Sequence, residues 1–87
     1  MVKWTITWNE WVIAENKKAE KERLMNFPVK SKVISRDNDW VEIKAVDTFD
    51  APDRKTAEKI VKNDYEDALE GYSLSKINSK KKLKKVM

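Results

Sequence analysis

Glu42 and Lys44, two residues apart in an alternating segment, are a carboxylate and an amine that could act together in catalysis. They match the E-x-K element of metal-dependent nucleases, where the carboxylate holds Mg²⁺ and the lysine stabilises charge at the attacking water. Such a site also needs an acid from a separate strand, whereas Asp37 and Asp39 lie in the adjacent turn. Since E-x-K arises easily by chance in so charged a chain, we keep the nuclease only as an alternative and expect a non-enzymatic protein.

Asp47, Asp50 and Asp53 are a second group of acids, spaced like the ligands of a cation loop. The EF-hand pattern also needs a Gly and a twelfth-position Glu, which are absent, and helix capping explains Asp50 and Asp53 more simply. The chain has no Cys and no His, which removes thiolate chemistry, most zinc sites and imidazole as a general base. We therefore expect no catalytic residue, no metal site and no cofactor.

The positive charge of the chain is concentrated near its C-terminus. The formal net charge is +4, from 19 basic and 15 acidic residues. Five lysines fall within six positions, so the 14 basic residues elsewhere nearly cancel the 15 acids. Three interpretations stay open: a solvated terminus, a non-specific anchor to nucleic acid or another polyanion, and a segment that folds on a partner through Leu83, Val86 and Met87. The five lysines are Lys80, Lys81, Lys82, Lys84 and Lys85.

Alternating apolar residues predict strands at both ends of the chain and in its middle, with two helix-favouring segments between them. The run from Ala14 to Asn26 favours the first helix, and Pro28 ends it. The second helix has an apolar stripe at three- and four-residue spacing, with Asp50 as N-cap and Gly71 beyond its end. The predicted elements are a strand at 2–8, a helix at 14–26, a hairpin of strands at 29–36 and 40–48, a helix at about 51–70 and a strand at 72–77.

This β-α-β-β-α-β order predicts a ferredoxin-like α+β sandwich, in which an antiparallel four-stranded sheet carries both helices on one face. The 87 residues allow one such domain, over 1–78, followed by a flexible Lys-rich tail at 79–87. One alternative stays open: Trp11–Ala14 could form a strand of its own. The chain would then begin with a hairpin, and the order would be ββαββαβ.

The alternation also divides the sheet into two faces. Val2, Trp4, Ile6 and Trp8 share the face that the helices cover, so these two tryptophans are predicted to lie in the core. The other, open face is predicted to place basic residues around one exposed aromatic side chain, Trp40. Its residues form the candidate partner-binding surface: Lys3, Lys30, Lys32, Ile34, Arg36, Trp40 and Lys44.

These features predict a small binding or regulatory module that acts through a protein partner. Its general character is similar to that of accessory or phage-encoded regulators. The alternative is non-specific binding of single-stranded nucleic acid or RNA by the basic open face together with the tail. No segment is apolar for long enough to span a membrane, and we expect a soluble cytoplasmic protein without a membrane partner.

Overall fold

The computed structural model describes residues 1–77, in which strands and helices follow the predicted order. Residues 1–77 form a small α+β domain with two helices and a four-stranded antiparallel sheet, as predicted. A 3₁₀ turn at Glu66–Ala68 precedes the last strand. The elements are β1 (Val2–Ile13), α1 (Lys17–Leu24), β2 (Lys32–Asp37), β3 (Trp40–Ala51), α2 (Arg54–Asp64) and β4 (Tyr72–Lys76).

The sheet has the strand order β2-β3-β1-β4, and all neighbouring strands are antiparallel. The central strands β1 and β3 pair along their full length, from Val2 opposite Ala51 to Ile13 opposite Trp40. The outer strand β4 is shorter and pairs only with Trp4–Trp8 of β1. The two long central strands thus extend beyond β4 at one end of the sheet.

The first strand is longer than predicted, because Asn9–Ile13 continues it without interruption. No Gly or Pro breaks the segment, and β3 supplies a partner for every residue of β1. The alternative in which Trp11–Ala14 forms a separate fifth strand is therefore wrong. The side chains keep alternating between the two faces as far as Ile13, which places Trp11 on the open face.

Both helices begin later than predicted because a local side chain caps each one. Asn16 caps α1, since the Ala19 N–H donates to its Oδ1 at 2.8 Å. Asp53, not Asp50, caps α2, where the Thr56 N–H donates to its Oδ1 at 2.8 Å. A capping residue adopts extended geometry and satisfies an N–H that lacks an intrahelical acceptor.

The core lies on the predicted face of the sheet. Trp4, Ile6 and Trp8 are buried there and pack with Ala57 and Val61 of α2. The Trp4 indole N–H donates to the Ala51 carbonyl oxygen at 3.2 Å, so this large side chain is buried with its polar atom satisfied. Full burial of a side chain such as Ile6 is worth about 1.5–3 kcal/mol.

The first helix covers a second, smaller cluster around Val41 and Ile43. Leu24, at the end of α1, and Phe27, just after it, pack against this cluster but are only partly buried. No residue of α1 is fully buried. The two helices therefore contribute unequally to the apolar core. The sheet together with α2 provides most of the buried apolar surface within residues 1–77.

Candidate functional site

The open face of the sheet carries three large apolar side chains at the end of β1 and the start of β3. Trp11, Ile13 and Trp40 are each 46% exposed. Ile13 lies directly opposite Trp40, and Trp11 lies opposite Glu42, which makes Trp11 a diagonal neighbour of Trp40. We call these three residues the apolar patch. Because all three belong to paired strands, their backbone positions are fixed before any partner binds.

The charged side chains of the open face are balanced in sign. The strand register places three lysines and three acids on it, and the nearest oppositely charged pair, Lys3 Nζ and Asp50 Oδ1, is 3.6 Å apart. A phosphate-binding surface needs an excess of positive charge, which this face lacks. The six residues are Lys3, Lys32, Lys44, Asp37, Glu42 and Asp50.

The prediction that Arg36 lies on the open face is wrong. The register between β2 and β3 shifts between Val33 and Ser35, so Ile34 has no partner across the strands and Arg36 pairs with the buried Val41. A bulge of this kind adds one residue and reverses the alternation that follows it. The side chain of Arg36 therefore lies on the helix-covered side of the sheet.

There Arg36 forms a two-pronged ion pair with Glu20 of α1. Its Nε and Nη2 donate to the two carboxylate oxygens at 2.7 and 2.9 Å. The hydrogen bonds from Arg36 lower the pKa of the Glu20 carboxyl, and the same contact raises the pKa of Arg36. This cation ties α1 to β2 and contributes no positive charge to the open face.

The remaining predicted residues divide between the open face and its edge. Trp40, Lys44, Lys32 and Lys3 lie on the open face, as their register requires. Lys30 lies in the turn before β2, because the strand begins at Lys32 and not at residue 29 as predicted.

That turn is closed by the Ser31 N–H, which donates to the Pro28 carbonyl oxygen at 2.9 Å. Ile34 is 45% exposed at the bulge. The predicted tail lysines, 80–85, lie outside the described residues.

Sequence reasoning missed Trp11 and Ile13 as surface residues. Thr7 and Glu10 have the spacing of a capping box, which is typical of a helix start, and the predicted strand therefore ended at Trp8. The signal was present in the sequence, because Lys3, Thr5 and Thr7 begin an odd-numbered series that Trp11 and Ile13 continue. Extending the alternation would have predicted two exposed apolar residues beside Trp40.

A polar contact on the covered side joins the end of α2 to the sheet. The Tyr65 hydroxyl donates to Asp47 Oδ2 at 2.8 Å, and its ring lies 5.8 Å from the rings of both Trp8 and Phe49. Burial, and then the hydrogen bond to Asp47, raise the pKa of Tyr65 above its ordinary value. A phenol held in its neutral form is a structural anchor and a poor nucleophile.

The nuclease alternative receives no support from the described part of the chain. Glu42 and Lys44 share the open face, where Glu42 is opposite Trp11 on one side and Ser35 on the other. Among residues 1–77, no group of three or more acidic side chains is placed to hold a metal ion.

No helix within the described range is long and apolar enough to cross a membrane. Compared with known proteins, the chain matches no protein-family model, and neither the search of curated proteins nor that of solved structures finds a significant match.

Proposed function

We propose that this chain is a non-enzymatic binding module that recognises a protein partner through the open face of its sheet. The observation that carries the proposal is the apolar patch of Trp11, Ile13 and Trp40, three neighbouring side chains that are each about half exposed. Soluble proteins rarely leave large apolar side chains exposed together unless the patch contacts something. A partner that covers the patch would regulate, or be regulated by, this small domain.

The composition of the patch fits a protein interface. Tryptophan is enriched among the residues that contribute most to protein–protein binding, because it buries a large area with little loss of side-chain freedom. Here Trp11 and Trp40 are held by paired strands, so little backbone ordering is needed on binding. The charged residues around them form a polar rim in which both signs are present.

The proposed architecture is the ferredoxin-like sandwich. It is supported by the β-α-β-β-α-β order, by the strand order β2-β3-β1-β4 and by antiparallel pairing throughout. In this arrangement one face of the sheet is covered by helices and the other is left for binding. The apolar patch lies on the second face.

The charge balance favours a protein over nucleic acid as the partner. Without Arg36 and Lys30, the open face has as many acids as lysines. Single-stranded nucleic acid would require neutralisation of successive phosphates alongside base stacking on Trp40. The three lysines that remain there are offset by Asp37, Glu42 and Asp50.

The proposal is tested by capturing partners from a native lysate with the full-length chain and with variants of the patch. Trp11→Thr and Trp40→Thr should each weaken capture of one stoichiometric protein by about tenfold or more, since each removes a large buried contact. Val29→Thr is the matched control, because Val29 is fully exposed away from the open face. Equal capture by all four proteins would contradict the proposal.

A second measurement distinguishes a nucleic-acid partner from a protein partner. Binding of an oligothymidine strand at low salt should be the same for wild type and Trp40→Thr. Binding that weakens in Trp40→Thr and falls steeply with salt would favour nucleic acid instead.

A further inference from the structure

One stretch of β1 beside the apolar patch has a strand partner on only one side. Asn9–Ile13 pairs with β3, but β4 pairs only with Trp4–Trp8, so no strand within residues 1–77 lies along the other side of Asn9–Ile13. We call this stretch the free edge. It is part of a central strand and not of a terminal one.

In the free edge, the backbone groups of the odd-numbered residues point away from β3. The Lys3 carbonyl oxygen accepts from the Ile77 N–H at 2.9 Å, on the side of β4, and the direction of the backbone groups alternates along a strand. Trp11 and Ile13 are odd-numbered like Lys3, so their N–H and C=O groups point to that same side. In agreement, the Ala14 N–H donates to Asp39 at 2.7 Å, towards β3.

One of these groups already has a partner. The Ile13 carbonyl oxygen accepts from Arg23 Nε at 2.9 Å. Among residues 1–77, nothing hydrogen-bonds to the N–H and C=O of Trp11 or to the N–H of Ile13, which are consecutive ladder positions. Solvated strand edges of this kind are the usual template for adding a further strand.

The outer strand β2 and the free edge differ in how they are protected. The outer strand β2 has a bulge at Ile34 and exposed charged side chains, and both features discourage pairing with another chain. The free edge has no bulge, and the charged side chain of Arg23 covers only the Ile13 carbonyl oxygen. It places Trp11 and Ile13 next to the unpaired backbone groups. The favourable backbone and side-chain contacts for an added strand are therefore found together.

We infer that the partner contributes an extended segment that adds to the free edge as a β-strand, with alternate apolar side chains packed against Trp11 and Ile13. This inference rests on the proposed function and names the form of the partner. An extended segment is favoured over a helix or a flat surface, because only a strand satisfies the backbone groups of Trp11 while its side chains reach the patch.

A short random-peptide library displayed on phage tests the inference with the full-length chain as target. Enriched peptides should have apolar residues at every second position. In a synthetic copy of an enriched peptide, N-methylation should weaken binding only at every second residue, because alternate N–H groups face the strand. Apolar spacing of three and four residues, uniform effects of N-methylation, or no enrichment would each overturn the inference.

A matched pair of variants tests the edge from the side of the protein. Ile13→Thr and Ile13→Pro remove the same apolar side chain, but only proline also removes the N–H that points away from β3. The proline variant should bind the enriched peptide about tenfold more weakly than the threonine variant, as expected for a lost backbone hydrogen bond in a dry contact. Equal dissociation constants, with circular dichroism unchanged in both, would overturn the inference.

The outcomes also distinguish the two proposals. Binding that depends on Trp40 but is not weakened by N-methylation at every second peptide residue would leave the proposed function intact and rule out the addition of a strand. Loss of Trp40 dependence in lysate capture would remove the proposed function itself. Self-association in sedimentation, abolished by Ile13→Pro, would identify a second copy of this chain as the occupant and overturn the choice of a partner segment.

Discussion

Ile13 and Trp40 face each other across the last position of the β1–β3 ladder, on the open face of the sheet. Odd-numbered residues of β1 direct their backbone groups away from β3, so this is a non-hydrogen-bonded pair, the kind in which opposite side chains approach most closely. The two side chains shield each other only partly and leave a joint apolar surface. The surface is therefore fixed by strand pairing, and its exposure does not depend on a flexible loop.

Trp40 should matter little for stability although it is large and apolar. A cross-strand pair contributes about 0.2–1 kcal/mol, so Trp40→Thr should lower the free energy of unfolding by no more than about 1 kcal/mol. Ile43 is fully buried in the same strand, and Ile43→Ala should cost about 2–5 kcal/mol. Urea denaturation of both variants measures the difference; similar losses would show that Trp40 belongs to the core.

The ion pair between Arg36 and Glu20 should make stability depend on pH and salt. The folded-state pKa of Glu20 is lowered from its ordinary value of 4.5, so the pair stabilises the fold above that pH. Its contribution is lost as the pH falls below 4.5 and as salt screens the exposed charges. In thermal unfolding curves, the melting temperature of Glu20→Gln should depend less on pH in the acid range than that of wild type.

Glu22→Gln is the matched control for that measurement, since Glu22 is an exposed acid of the same helix. It should keep the wild-type dependence on pH. Identical curves for the two glutamine variants would show that the contact with Arg36 contributes nothing to stability.

Alternation of apolar residues was sufficient to predict an α+β domain with a four-stranded antiparallel sheet and the burial of Trp4 and Trp8. It did not predict how far β1 extends, because Thr7–Glu10 is equally typical of a helix start and only pairing with β3 decides between them. A local sequence pattern contains no information about contacts between residues that are distant in sequence.

The position of Arg36 was unpredictable for a related reason. A bulge at Ile34 needs no Gly or Pro and arises from fitting β2 onto β3 while Arg36 reaches Glu20. The extra residue moves the β2 residues that follow it to the opposite face. Because Arg36 is then on the covered side, the open face lacks the excess of positive charge that nucleic-acid binding requires. Charge counts on a predicted sheet face are therefore only as reliable as the strand register.

The cap of α2 should depend on a hydrogen bond more than on charge. Asp53→Ala should lower the melting temperature. Asp53→Asn should retain most of the stabilisation that the cap provides, because asparagine still offers an acceptor to the Thr56 N–H. The hydrogen bonds from Thr56 lower the pKa of Asp53 from its ordinary 3.8. The advantage of wild type over Asp53→Asn should therefore vanish as the pH falls below 3.8, and an advantage that persists there would contradict this assignment.

Tyr65 should stabilise the fold through its hydroxyl as well as its ring. Tyr65→Phe keeps the contacts with Trp8 and Phe49 but leaves Asp47 Oδ2 without this donor, which should cost about 1 kcal/mol at neutral pH. Since the folded-state pKa of Tyr65 is raised above 10.0, this contribution is present at lower pH and lost as the pH rises above that value. Tyr72→Phe, at an exposed position, should leave unfolding by urea unchanged, and an equal loss in both variants would contradict the role of the Asp47 contact.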